Sequence, residues 1–524
     1  MLGADQMRRA GWPLNPIIYQ VYPRSFRDST GSGEGDLKGV LHSLDHIAST
    51  GADAIWLSPM YASPMCDGGY DISDHCAIDP RFGTIEDLDH LIEAAHAKDL
   101  RVMMDQVFNH TSDTHRWFAA SCAGDPAYRD YYVWADPCAD GSPPSNWIGV
   151  FGKPAWRWVP QRRQYCLHQF LPCQPSLNHT CPAVLDELKA IITFWRARGV
   201  DGFRFDAITA LFHDPKFRDN PDAGLDDIPM NLYAMQRHKH DMMPDDCAAF
   251  AGDLRKWAGG DMFLIGEINA SDTDVATANA LSGVDKLDAA YTTGVPDSGA
   301  NLRVLTDDLK QNARQGGLAW WLNSHDKPRM ISRAGDGSAR DARMFAALLL
   351  ALPGPILILQ GDELGQRQAE LPLDAVTDPF DLAYWPNPPG RDGARAPMNW
   401  DTEVVGNGFS TGEPWLPLAN AEDGGVVQQN NNADSVLNFY RKSIRLRRDL
   451  GLERAGFEVL EVDDTWLSAR LDAQDGGAYL LLCNMESHSR AIPSDASPSS
   501  VLLSSVPQVS GKIPARSTSW WRIE

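Results

Sequence analysis

The stretch GVDGFRFDAI, Gly199 to Ile208, decides how the chain folds. It follows a segment opened by Pro182 in which Val184, Leu188, Ile191 and Trp195 fall on one helical face, and Gly199 closes that segment. A helix therefore runs directly into a short apolar strand, the joint from which parallel sheets covered by helices are built. Inside that strand stand an arginine and, two residues on, an aspartate. Side chains two apart on a strand point to one side, so Arg204 and Asp206 face the same space. Removing water from such charges costs roughly several kcal/mol each, so the pair is either a scaffold ion bridge, the commoner case, or chemistry.

Working outward, eight apolar runs share this character: Ile17–Tyr22, Ala54–Pro59, Arg101–Val107, Val200–Ala207, Met262–Ile268, Lys286–Thr292, Leu318–Ser324 and Pro355–Gly361. Eight is the number of a closed (β/α)8 TIM barrel. Thr84 with Asp87 reads as a capping box ahead of a helix whose apolar face is Leu88, Leu91, Ile92 and Ala95. Ser435–Asp449 reads as the eighth helix. The expected organisation is barrel over 1–107, an inserted domain over 108–179, barrel again over 180–453 with a long insert at about 362–432, and an antiparallel β-sandwich over 454–524.

A net charge of −23 speaks against nucleic acid and anionic membranes as partners. No window is long and apolar enough for a membrane span, and MLGADQMRRAGWPLNP has no apolar run behind its arginines, so no secretory leader is expected. Nine cysteines, an odd number without a CxxC pair, point to neither a disulfide framework nor a zinc ribbon. Each is expected to be a buried thiol, and the chain is expected in the cytoplasm.

Barrel enzymes keep their chemistry where the strands end. There the sequence places Asp105, Asn109 and His110 after the third strand, Arg204 and Asp206 on the fourth, Glu267 on the fifth, and His325, Asp326 and Arg329 after the seventh. Asp67 and Tyr70 lie in the loop after the second. Each alone has a structural explanation; their convergence on one end of one barrel does not. Carboxylates gathered without a metal-spaced His or Cys cluster suit glycosidic bond cleavage, which needs a carboxylic acid for the leaving oxygen and a carboxylate behind the anomeric carbon. Arg204 is expected to lower the pKa of Asp206, and crowding by the other carboxylates to raise that of Glu267.

DQVFNH (Asp105–His110), GFRFDA (Gly202–Ala207), GEI around Glu267, SHDKPR (Ser324–Arg329) and QPSLN (Gln174–Asn178) resemble, in order, the signature regions of the α-amylase superfamily, glycoside hydrolase family 13. QPSLN, IIYQVYPRSF and GRDGARAPMNWD (Gly390–Asp401) are similar to its exo-acting α-glucosidase and oligo-1,6-glucosidase branch. The resemblance implies Asp206 as nucleophile of a covalent β-glucosyl enzyme, Glu267 as acid/base and Asp326 as transition-state stabiliser. It implies Asp67, Tyr70, His110, Arg204 and His325 lining the glucose subsite, with Arg391 or Arg395 closing it. In this branch valine after the nucleophile goes with α-1,6 bonds; Ala207 goes with α-1,4, hence maltose-like substrates. Transfer to sugar or alcohol acceptors, isomerisation, and a catalytically silent binding or assembly module remain as alternatives.

No cofactor is required by this chemistry. Phe26–Gly39 stands where relatives carry a calcium loop; Asp28 and Asp36 remain as candidate ligands, but Thr30 and Ser32 replace an amide and a carboxylate, which weakens a site that wants six or more oxygens.

Overall fold

The computed structural model describes residues 11–268, 274–312, 317–493, 498–507 and 511–523. Residues 1–10, on which most of the leader reading rests, lie outside them. Apolar runs with β-branched residues produce the strands Ile17–Val21 (β1), Ala54–Leu57 (β2), Arg101–Gln106 (β3), Gly202–Phe205 (β4), Phe263–Glu267 (β5) and Ala289–Tyr291 (β6). After a bridged segment at 318–320 (β7) comes Ile356–Leu359 (β8). All ladders are parallel, in the order β6-β5-β4-β3-β2-β1-β8.

The seventh run is shorter than its sequence promises. It closes the ring through the bridges Ala290–Leu318 and Trp320–Ile356, with Ala319 N donating to Ala290 O at 2.9 Å and Leu357 N to Trp320 O at 2.8 Å. Its tryptophans bond elsewhere: the Trp320 indole donates to Pro353 O at 2.6 Å and that of Trp321 to Thr292 O at 2.7 Å.

Alternation sorts the strand residues. Ile18, Ala54, Trp56, Met103, Phe263, Ile265 and Tyr291 fill the barrel, with Trp12 stacked on Phe263 at 5.0 Å to plug the end where strands begin. Ile17, Tyr19, Ile55, Leu57, Phe203 and Phe205 face the helices. Because Phe203 and Phe205 point outward, Arg204 points in. The helix Ile85–His96 carries both bonds of its capping box, Asp87 N to Thr84 Oγ1 at 3.3 Å and Thr84 N to Asp87 Oδ2 at 3.0 Å. Such a cap contributes about 1 kcal/mol. Pro182–Ala197 buries Val184, Leu188, Ile191 and Trp195, and Val436–Asp449 is capped by Ser435.

Between β3 and the helix Pro182–Ala197, the strands Trp134–Ala135, Trp156–Val159 and Gln164–Leu167 form a small antiparallel sheet over its own core of Val133, Trp147, Trp156 and Leu167. Beyond the barrel, Gly456–Val462 (β9), Trp466–Asp472 (β10), Ala478–Asn484 (β11), Pro498–Ser504 (β12) and Ser517–Ile523 (β13) form an antiparallel sheet ordered β9-β10-β11-β13-β12. One face, with Leu467, Leu481 and Trp520, joins the main core, and the Trp520 indole donates to Ala347 O at 2.9 Å. The other face is covered by Ile513 from a two-stranded ribbon, Arg490–Ala491 against Lys512–Ile513, so the second layer of the sandwich is very short.

Among the described residues no helix is long and apolar enough to cross a membrane. Cys166, Cys247 and Cys483 are buried, but Cys66 and Cys138 are exposed, which corrects the expectation of a buried thiol at every cysteine. Both exposed thiols sit in turns rather than on a core-facing strand or helix.

Candidate active site

Arg204 is fully buried and organises the carboxyl end of the barrel. Its Nη1 donates to Asp105 Oδ1 and to Asp206 Oδ1, each at 2.7 Å, and its Nε donates to the Tyr291 hydroxyl at 2.9 Å. Nη2 lies 2.6 Å from Glu267 Oε2, an ion pair rather than an aligned hydrogen bond. The second oxygen of Asp105 accepts from the Trp56 indole at 3.1 Å and the Tyr70 hydroxyl at 3.0 Å. Strand register explains the convergence: Asp105 on β3 is opposite Arg204 on β4, and Glu267 ends β5 opposite Tyr291 on β6. Just past Asp206 the chain turns through a left-handed Ala207 (φ 42°, ψ 43°), whose N–H donates to Glu267 Oε2 at 3.2 Å. That backbone costs a residue with a Cβ roughly 1–2 kcal/mol.

Burial pushes the Asp206 carboxyl up to about 7, with Arg204 opposing it. This corrects the expectation of a lowered value: the single guanidinium is shared among three carboxylates in a dry site and cannot offset desolvation for each. Burial likewise pushes Glu267 up to about 7, with Asp206 and Asp326 adding to the effect, and Asp105 up to about 6. At neutral pH the Asp206–Glu267 pair therefore carries about one proton, and its titration belongs to the pair.

Asp326, after β7, has a different setting. Its Oδ1 accepts from Arg391 Nε at 2.9 Å and Arg395 Nη2 at 2.9 Å. Asp378 backs both arginines, 2.9 Å from Arg395 Nη1 and 3.3 Å from Arg391 Nη1, and Asp67 accepts from Arg391 Nη1 at 3.2 Å. Against burial, which acts upward, His325, Arg391 and Arg395 hold Asp326 well below the ordinary carboxylate range.

The remaining wall is aromatic and amide. Tyr70 stacks on His325 with centroids 5.2 Å apart and planes 4° from parallel, and His325 Nδ1 lies 2.8 Å from Gln20 Nε2. Burial pushes His325 down to about 3, so it is neutral, and its Nε2 lies 3.2 Å from Asp326 Oδ2. Gln174 Nε2 donates to Asp67 Oδ2 at 2.9 Å and lies 3.0 Å from His110 Nε2. Burial pushes His110 down to about 3 as well. The candidates Asp206, Glu267, Asp326, Asp67, Tyr70, His110, Arg204, His325, Arg391 and Arg395 thus fall into one linked network. Residues that sequence reasoning left out are Asp378, Gln20 and Tyr291, and Gln174 was read only as a marker of the branch. Gln20 left a signal, a lone amide inside an apolar strand; Asp378, in an irregular insert, left none.

Asp28 and Asp36 stand apart from this network. Asp28 accepts from the N–H groups of Thr30, Gly31 and Gly33 and from the hydroxyls of Thr30 and Ser410. Asp36 caps the helix Leu37–His42 through Gly39 N and accepts from Ser29. Carboxylates ringed by donors do not suit calcium, and no cluster of three or more His, Cys, Asp or Glu among the described residues is placed to hold a metal.

Residues 20–453 match the family model of the α-amylase catalytic domain. A probable alpha-glucosidase of Rhizobium meliloti (strain 1021) is 42% identical over 457 residues, 83% of this chain and 82% of that protein. An oligo-1,6-glucosidase of Heyndrickxia coagulans is 33% identical over 518 residues, 90% of this chain and 92% of its own. The crystal structure of an alpha-glucosyl transfer enzyme, XgtA, superposes with a TM-score of 0.90 at 36% identity, over 97% of this chain and 99% of that one.

Proposed function

The chain belongs to the α-amylase family and is a glycoside hydrolase; from that premise we propose that it removes single α-1,4-linked glucose units from the non-reducing end of maltose-like substrates, with retention. The observation that carries this reading is the Arg204 guanidinium spanning Asp206 at 2.7 Å and Glu267 at 2.6 Å. Two carboxyl groups held by one guanidinium suit the close spacing of about 5–5.5 Å used in double displacement, not the ~6.5–9.5 Å that leaves room for a water.

In the first step Asp206, ionised, attacks the anomeric carbon while Glu267 gives its proton to the departing glycosidic oxygen. In the second, Glu267 takes a proton from water, whose oxygen attacks the same carbon and releases Asp206. One proton shared between two carboxyls of nearly equal affinity is the charge state this sequence requires at its start. Asp326, held ionised, accepts sugar hydroxyls, the neutral His325 presents a polar nitrogen to the ring, and His110 holds Gln174 and the Tyr70 backbone in the wall. The link from Asp67 to Arg391 at 3.2 Å walls the pocket behind the first sugar, which favours exo action.

An alcohol or second sugar in place of water gives transglucosylation. The apolar group of Ala207, Ala210 and Met242 with Phe170 and Tyr233, beginning one residue past the nucleophile, favours such acceptors. The odd number of unpaired thiols fits a reducing compartment, the cytoplasm. In the decisive experiment, Asp206→Asn is assayed on p-nitrophenyl α-glucoside with folding checked by circular dichroism. Turnover is expected to fall below about a thousandth; retention of more than about a tenth would assign the nucleophile wrongly. NMR of the early product is expected to show the α-anomer, and a β-anomer would overturn retention.

A further inference from the structure

Two loops meet twice at one edge of the pocket. Asp67, in the loop after β2, accepts from Gln174 at 2.9 Å. One residue earlier on each side, Cys66 and Cys173 interact thiol to thiol. Both are free, Cys66 exposed and Cys173 half-buried. Each is presented by a braced backbone. The Asp71 carboxylate accepts from Cys66 N and Asp67 N at 3.0 Å and from the Ser63 hydroxyl at 3.0 Å. On the other side Asp113 N donates to Cys173 O at 2.8 Å, and Leu171 N to Gln174 Oε1 at 2.9 Å. Nothing in the glycosidic chemistry uses either sulfur.

We propose that Cys66 and Cys173 are a redox-modification site, a dithiol that closes to a disulfide and ties the loop after β2 to the inserted region beside Asp67 and Gln174. The oxidant is a small disulfide of the glutathione class. The Cys66 thiolate, on the more accessible side, attacks one sulfur of that disulfide, forming a mixed disulfide and expelling one small thiol. The Cys173 thiolate then attacks Cys66 Sγ and expels the second. Two protein thiols and one small disulfide become one protein disulfide and two small thiols, the protons leaving with them. Burial raises both protein thiols, so the resting pair is protonated and closure is slow. A sulfur–sulfur bond requires Cβ atoms about 3.5–4.5 Å apart. A bond between the sulfurs fixes that spacing and with it the relative placement of Asp67 and Gln174, which contact each other and, through Arg391, reach Asp326. The site's activity is thereby coupled to its oxidation state.

The test incubates the full-length protein with oxidised glutathione, blocks remaining thiols with iodoacetamide, and maps the peptides by mass spectrometry. The expected result is a 66–173 cross-link with two of the nine thiols lost. A mixed disulfide alone at Cys66, or linkage to other cysteines, overturns the site. In parallel, KM for p-nitrophenyl α-glucoside is expected to shift by at least about threefold on oxidation and to return with dithiothreitol. Cys66→Ser and Cys173→Ser are expected to show no oxidant response while keeping the reduced enzyme's kinetics. A cross-link that leaves KM unchanged overturns the coupling. The kinetic arm rests on the proposed α-glucosidase reading, whereas the cross-link is read by mass and stands or falls without it.

Discussion

Around Arg204 one guanidinium serves three carboxylates, Asp105, Asp206 and Glu267; in the same pocket Arg391 and Arg395 together serve Asp326, Asp378 and Asp67. The residue types are the same, yet the first group holds carboxyls raised to about 6 and 7, whereas in the second the half-buried Asp326 is held well below the ordinary range and Asp378 below it, with Asp67 raised at the group's edge. The difference lies in the ratio of cations to anions. Burial acts upward on every carboxyl, and one shared positive charge does not cancel it for three, whereas at Asp326 His325 and two guanidiniums together more than offset it. A single pocket thereby keeps a proton where protons must move and excludes one where a fixed anion must bind sugar.

The largest expected effect comes from taking away the fork of the scarce cation. Lysine at 204 offers a point charge that cannot fork to Asp105, Asp206 and Glu267 together. Arg204→Lys is expected to lower kcat/KM by about a thousandfold or more, and to cost about 3–5 kcal/mol of stability, as breaking a buried ion pair does. Activity within about tenfold of the parent would show that the shared guanidinium does not govern the first group. In the second group, Asp378→Asn keeps the cap it makes on Pro379–Ala383 but removes the charge backing both arginines. The expected outcome is KM raised about tenfold with kcat changed less, since the loss falls on binding by Asp326 and the arginines. Equal losses in kcat and kcat/KM would instead place Asp378 in the transition state.

A smaller effect appears in stability. Asp206 and Glu267 sit at about 7 in the folded protein against ordinary values of 3.8 and 4.5. A raised value means that the folded state holds the proton more tightly. The stabilisation is therefore full below about pH 4 and is lost as pH rises through about 7. Asp206→Asn and Glu267→Gln are each expected to raise Tm at pH 8 by a few degrees, and to flatten the fall of Tm between about pH 5 and 8. A parental slope retained in both variants would mean that other groups set it.

Much of this was legible in the chain. Helix-to-strand joints such as Pro182–Phe205 declare themselves by apolar period and by Pro and Gly punctuation, and the inward direction of Arg204 followed from strand alternation alone. The seventh strand was overread because Trp320 and Trp321 count as apolar, yet each spends its indole N–H on a backbone carbonyl. The protonation of Asp206 was misjudged because sequence shows one arginine two residues away and cannot show that Asp105 and Glu267, distant along the chain, compete for it. Asp378 was invisible because it reaches the arginines from an insert with neither helical nor strand period.

The smallest effect tests whether the first group also reads the bond to be cut. Ala207 holds a left-handed backbone that aims its N–H at Glu267 Oε2, while its side chain joins the apolar cluster with Met242 and Phe170. Valine is β-branched and strained in that conformation, so it moves both the donor and the wall. Ala207→Val is expected to lower kcat on maltose a few-fold, to raise isomaltose relative to maltose by a similar factor, and to shift the basic limb of the pH–rate profile upward as Glu267 loses a donor to its ionised form. Ala207→Gly, which accepts the left-handed backbone freely, is expected to leave that limb in place. If valine changes linkage preference with the limb unmoved, the acceptor wall acts alone; if the limb moves in both variants, the backbone bond at 207 is not what tunes Glu267.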